Sequence, residues 1–354
     1  VLSGDVRYVF AKLYFLEPQF AHSWTGTDGT SATGGNLWKI ELDRTGRSFG
    51  FNWAINGVDD DFQADAGFVN RTGYINVHAF NRFSWYGATG ALVESVSAFF
   101  TPNRLWNYRD FGNAEAIEGG VGGSVDVTLR GGWSVELEAN RSFIRPDLDD
   151  YSGIEVATPS GTIAYDPIAH ITGHRFGLSV ATPTFRKFDA SFDIAKGQGT
   201  IFQEGAPGNG FQTGFDVSLR ATAQTRVTAT AVYTSITRTR DDSEFARSLI
   251  PRIKAEYQAT RHLFFRGILE YAAERQSALV DARTGAPLLR NGQPIAAQRD
   301  NGFRVDALVS YEPTPGTVAY VGYGSSYTEV PVFSSRFRRS EDGFFVKLAY
   351  QFRK

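Results

Sequence analysis

The 354-residue chain predicts an all-β fold: one transmembrane antiparallel up-and-down β-barrel of about 16–18 strands, spanning 1–354 as a single domain. Three observations predict it. The closing stretch, Gly343 to Lys354, places Phe344, Val346, Leu348, Tyr350 and Phe352 on one parity, and mostly small or polar residues on the other. Period-two segments of the same kind recur upstream through the whole chain. The connections between them are alternately very short and rather long, as in membrane barrels.

Taken in order, Asp5 to Ala11 and Leu13 to Trp24 open the pattern, and a Gly/Thr/Ser-rich stretch, Thr25 to Gly35, follows. Trp38, Ile40 and Leu42 alternate with Lys39, Glu41 and Asp43. Thr45-Gly46-Arg47 then turns the chain into Phe49, Phe51, Trp53 and Ile55, a hairpin. A loop over Val58 to Asn70 leads to Ile75, Val77, Ala79, Phe83 and Trp85, set against Asn76, His78, Arg82 and Ser84, and then to Ala91–Phe100. In the middle, Val125, Val127 and Leu129 alternate with Asp126, Thr128 and Arg130. Gly131-Gly132 turns the chain, and Trp133, Val135 and Leu137 alternate with Glu136 and Glu138.

Pro146 to Thr172 interrupts as a long loop, after which His174 to Thr184 and Phe188 to Ile194 resume the alternation. Phe215, Val217 and Leu219 alternate with Asp216, Ser218 and Arg220, and Val227 to Arg238 returns. Ile253, Ala255 and Tyr257 oppose Arg252, Lys254 and Glu256. Leu263, Phe265, Leu269 and Tyr271 oppose Arg266 and Glu270. Ala278 to Asn301 reads as another long loop. Val305, Val309 and Tyr311 oppose Arg304 and Asp306, and Thr317 to Tyr327 precedes the closing strand, whose polar parity holds Lys347. Ala91–Phe100 and Val318–Gly324 have ambiguous parity.

Composition fits this reading and excludes others. The 37 Gly and 29 Phe suit aromatic strands with tight turns, and no window approaches the roughly 20 apolar residues of a spanning helix. A β-propeller would show a repeat of about 40 residues, and none is visible. The balance of 36 basic against 38 acidic residues argues against a nucleic-acid partner. Lack of cysteine suits an exported protein without disulfides and equally a reduced cytosolic one, and Val1 to Asp5 reads as a mature or truncated start whose export signal has been removed.

The charged parity defines the expected pore lining: Lys39, Glu41, Arg82, Asp126, Arg130, Glu136, Glu138, Asp216, Arg220, Arg252, Lys254, Glu256, Arg266, Glu270, Arg304, Asp306 and Lys347. Both signs are present, so strong ion selectivity is not expected. Trp38, Trp53, Trp85, Trp133, Tyr257, Tyr271, Tyr311, Tyr350 and Phe352 are the expected membrane-interface aromatics. No phosphate loop, dinucleotide fingerprint or Gly-x-Ser-x-Gly element occurs, and the five histidines offer no nucleophile partner. The reading is therefore of a non-enzymatic protein with no cofactor and no metal. His170 and His174 are four apart, but on an extended chain that is about 13 Å, too far for one ion.

A final aromatic strand ending in Tyr350-Gln351-Phe352 resembles the terminal signature of bacterial outer-membrane barrels. Asp59 to Thr72, with Phe62, Gly67, Phe68, Arg71 and Thr72 matching, resembles a loop-to-strand motif of an uncharacterised family of large outer-membrane barrels. Full-length members of that family carry an N-terminal family-9-like carbohydrate-binding domain. The resemblance implies that this chain is the C-terminal part of such a barrel, in the outer membrane of a Gram-negative cell. The expected partners are the lipid bilayer, lipopolysaccharide, and missing N-terminal strands or a partner protein completing the barrel. The expected function is a pore or conduit for polar solutes, carbohydrate-related if the resemblance holds. The alternative is a plugged scaffold whose loops or lumen bind a partner protein.

Overall fold

The computed structural model describes residues 1–26, 33–64, 67, 69–329 and 337–352; Asp65, Ala66 and Phe68 of the motif above, and Arg353 and Lys354, lie outside them. The strands are β1 (Leu2–Asp5), β2 (Tyr8–Phe10), β3 (Tyr14–Thr25), β4 (Thr33–Arg44), β5 (Phe49–Val58), β6 (Tyr74–Tyr86), β7 (Val93–Asn107), β8 (Glu118–Leu129), β9 (Trp133–Ile144), β10 (Ile154–Thr158) and β11 (Gly161–Ala164). They continue with β12 (Ile171–Ala181), β13 (Phe188–Ile201), β14 (Ala206–Arg220), β15 (Thr225–Arg238), β16 (Glu244–Gln258), β17 (Leu263–Gln276), β18 (Leu288–Arg290), β19 (Gln293–Pro294), β20 (Gln298–Thr314), β21 (Thr317–Glu329) and β22 (Phe337–Ala349).

Eighteen of these form one antiparallel sheet in which each wall strand pairs with the next in sequence. The fold class read from the sequence is thus the observed one. β1 and β2 both pair with β3, at Leu2↔His22 and Tyr8↔Leu16, so they are two pieces of a single broken edge strand. Counted as one pass, they bring the eighteen-stranded sheet to one pass fewer, within the 16–18 strands read from alternation.

Among the described residues, nothing pairs with the far side of β1 and β2 or with the far side of β22. Every residue of β22 is exposed on both faces, as an edge strand without a second neighbour must be.

All the connections at one rim are short; the long ones lie at the other, which also holds the short turns 202–205 and 239–243. Gly131 and Gly132, at φ 88° and 89°, make the turn between β8 and β9 in a conformation that a side chain disfavours. Many strands overrun the roughly 9–11 residues needed to span a bilayer, and the excess lies at the long-loop rim. β14, for example, already begins at Ala206, well before the alternation that starts at Phe215.

Four expectations are corrected. The closing strand runs from Phe337 and stops at Ala349, whose partner Val318 is the second residue of β21; Tyr350 and Phe352 lie past its end. Arg130 sits in the turn after β8, at the short-turn rim, and not in the wall. Ala91–Phe100 belongs to a strand reaching Asn107, and a pairing irregularity between Val93 and Ser95 blurs its parity. The loops 146–172 and 278–301 are not featureless: β10, β11, β18 and β19 make a second, four-stranded sheet, and β20 already begins at Gln298.

Candidate functional site

Register decides which side chains share a face. Asp126 opposes Glu136, which opposes Ser179; Asp216 opposes Ser191 and Thr230; Thr230 opposes Arg252, and Glu270 lies between Arg252 and Arg304. The same pairing carries Lys39 and Glu41 through Asn56 and Ala54 to Asn76 and His78. Apart from Arg130, every residue expected to line a pore therefore lies on one continuous face. Opposite charges meet there, with Arg252 at 3.6 Å from Glu270, Lys254 at 3.2 Å from Glu256 and Arg304 at 3.0 Å from Asp306. Lys39–Glu41 and Arg220–Asp189 are also paired. These pairs are solvated, so each stabilises little; their effect is to keep the polar face close to neutral.

The other face is apolar and bare. Leu137, Phe176, Ile253, Leu269 and Val321 are all about half exposed or more, which water would penalise across so many strands and lipid would not. Aromatics gather toward its two margins. Trp85, Trp133, Tyr257 and Tyr311 stand at the short-turn end of their strands, with Trp133 near Phe185 and Tyr257 stacked along Phe265. Tyr271 lies toward the long-loop end with Phe303, Tyr327 and Phe337, and Trp38 there donates to the Tyr108 hydroxyl at 3.2 Å. Trp53 sits deeper and donates to Asn81 at 3.0 Å. Tyr350 and Phe352 meet edge to face beyond β22.

The polar face is covered at the long-loop rim. Ile201, Ile236 and Ala246 occupy the same parity as the charged rows lower on β13, β15 and β16. Tyr151, Ile154, Val156, Tyr165, Leu279 and Leu288 pack on them as a dry cluster. These residues come from both long loops, and β10 joins them by pairing with β18, Val156 to Leu288.

One ion pair is sealed inside. Arg238 grips Glu204 through Nε and Nη2, at 2.9 and 2.7 Å, and the side chains are 8% and 0% exposed. Such a buried pair persists only when its remaining donors and acceptors are satisfied. Here Arg238 also donates to the Ala278 carbonyl at 2.8 Å, Val280 N–H donates to Glu204 at 2.9 Å, and the Tyr165 hydroxyl donates to the Glu204 carbonyl. The pair thus ties the β13–β14 turn, the end of β15 and the second long loop together. Gly205 follows Glu204 at φ 49°, where a Cβ would collide with Pro167.

Burial pushes the Tyr165 hydroxyl pKa well up and that of Tyr151 up. Burial alone would also raise Asp281, but bonds from the Thr284 hydroxyl and the Arg283 and Thr284 N–H groups win and hold it below the usual carboxylate range. A smaller cluster caps β3–β6, where Phe62, Ala64 and Val69 of the 59–73 connection pack on Ala21, Leu37, Val58 and Tyr74.

Alternation could not reveal this cap, because its residues come from segments without periodicity. The available signal was local: apolar side chains at Ile201 and Ile236 on a parity that is polar lower down the same strands.

No family model matches the chain, and no curated protein matches it in sequence. Solved structures do. The FrpB iron transporter from Neisseria meningitidis matches at TM-score 0.50 and 10% identity over 95% of this chain, which spans 61% of the transporter chain. OmpT, an outer membrane protein of Vibrio cholerae, matches at TM-score 0.37 and 10% identity over 92% of this chain and 96% of its own. An anion-selective porin from Comamonas acidovorans matches at TM-score 0.32 and 8% identity, over 98% and 95%. The likeness to the transporter is one of fold: the chain has the antiparallel up-and-down wall of the outer-membrane β-barrels.

Proposed function

We propose that the chain is the wall of a channel-like barrel in the bacterial outer membrane, conducting polar solutes along its charged face under the control of the loop cap. The observation that supports this most is the division of the wall into a continuous two-signed polar face and an exposed apolar one. In this reading the long-loop rim faces the cell exterior and the short turns face the periplasm. The wall binds solute without a catalytic step. The motif over Asp59–Thr72 favours a carbohydrate-related solute and membership of the large-barrel family described above.

The two unpaired edges would leave backbone groups unsatisfied in hydrocarbon at several kcal/mol each. They therefore pair in the membrane, with each other or with strands supplied from outside this sequence. Planar-bilayer recording tests conduction: steady single-channel steps are expected from the protein, larger ones when the cap is cut back. A second reading, a plugged scaffold for a partner protein, is favoured by the dry packing of the cap, and silence in both recordings would select it.

A further inference from the structure

We propose that Arg247, Arg275 and Arg299 form a binding site on the outer surface of the wall for the phosphate groups of a phosphorylated glycolipid in the surrounding outer leaflet. The three guanidinium groups come from three neighbouring strands and stand directly opposite one another, Arg247↔Arg275↔Arg299. They share the parity of Leu249, Leu269 and Val305, so they lie on the lipid-facing side, beyond the apolar band.

Like charges placed opposite on a sheet repel, and a wall needing only solubility at this rim would alternate them. Two carboxylates moderate the repulsion without removing it. Glu244 is shared, at 3.4 Å from Arg247 Nε and 2.8 Å from Arg275 Nε, and Glu329 lies 3.4 Å from Arg299 Nη2 while also accepting from Asn301. Three cations thus face two anions. Among the described residues, the terminal amino groups of Arg247 and Arg275 make no hydrogen bond, and the shortest carboxylate contact of each guanidinium is through Nε, which leaves terminal N–H groups to take phosphate oxygens. All three side chains are between 38% and 63% exposed.

What lies below them on the same face selects a lipid over a free anion. Tyr271 and Phe303 stand four residues deeper on the strands of Arg275 and Arg299, roughly 13 Å toward the bilayer centre. Phe303 stacks on Tyr327 with ring centroids 4.3 Å apart, and Phe337 closes the group at 5.2 Å. An aromatic belt under a cationic row matches an amphiphile with acyl chains below and phosphates above. The site rests on the placement of the apolar face in lipid, but not on conduction, so a silent channel leaves it standing.

The test is a titration of the purified full chain in detergent with a bis-phosphorylated acylated glucosamine disaccharide, followed by native mass spectrometry. The same lipid stripped of phosphate and inorganic phosphate alone run in parallel. Neutralising Arg247, Arg275 and Arg299 together to Gln should weaken binding about a hundredfold, at about fivefold per arginine. Arg275→Gln alone, should the triple variant fail to fold, should cost about fivefold, and Arg275→Lys should recover part of it. Neutralising Arg186, Lys187 and Arg261 at the opposite rim should change nothing. The proposal is overturned if the phosphate-free lipid binds equally well, if inorganic phosphate displaces the lipid at equal concentration, or if the arginine variants bind as the native chain does.

Discussion

Two levels of one face obey opposite rules. Low on β13, β15 and β16 the polar face carries Asp189, Thr228, Thr230, Arg252 and Lys254; at the long-loop rim the same parity of the same strands carries Ile201, Ile236 and Ala246. Among the described residues, no hydrophobic cluster packs on the lower level, and its ion pairs are solvated. The upper level is the floor of a conventional hydrophobic core. A single sheet can therefore keep the inverted pattern of a membrane wall and, a few residues later, the ordinary pattern of a water-soluble domain, because what sits over the face decides which side chains it needs.

The sharpest way to break the comparison is to leave a charge stranded in the cap. Glu204→Ala removes the partner of a buried guanidinium and should destabilise the cap by about 3–5 kcal/mol while leaving the wall folded. Limited proteolysis should then cut within 146–170 or 278–297, and heat-modifiable mobility on gels should be unchanged. Leu288→Ala hollows out the centre of the same core, at 0% exposure, and should cost about 2–5 kcal/mol in the same assay.

The wall should respond to the opposite chemistry. Leu269→Arg, on the lipid-facing parity, should destabilise folding into vesicles by about 2–4 kcal/mol in urea titrations. Glu270→Lys, one residue away on the polar face, should leave that midpoint close to native and alter only ion preference in conductance measurements.

The smallest effect expected is alkaline. The Tyr165 pKa is raised on folding, so its contribution is complete below the unfolded value near 10 and is lost as pH climbs toward the folded one. Protection of the cap from protease should fall progressively above about pH 10. Tyr165→Phe should lose about 1 kcal/mol at neutral pH with its hydrogen bond, and with it that part of the alkaline decline.

The wall was legible because its two faces meet different solvents, and a period of two is the direct record of that. Val125 to Leu129, Trp133 to Leu137 and the strands from Ile253 to Tyr271 could be assigned face by face from alternation alone, whereas Arg130 between the first two could not. Legibility failed wherever a residue answered to tertiary packing. Glu204, in the non-periodic Phe-Gln-Glu-Gly turn, gives no sign that it will meet Arg238, whose position at the end of β15 looks like any rim arginine. Arg247, Arg275 and Arg299 were invisible for a different reason: each lies in a part of its strand beyond the clean alternation, and only the register sets them side by side.

The central claim, that Leu and Phe rows face lipid while the charged rows face water, has a direct measurement. The chain has no cysteine, so single cysteines can be introduced along β9, β17 and β20 and probed with a membrane-impermeant maleimide in vesicles. Labelling at 138, 270 and 304 with protection at 137, 269 and 305 is the predicted result. Equal labelling of both sets, or protection of the charged positions with labelling of the apolar ones, would contradict it.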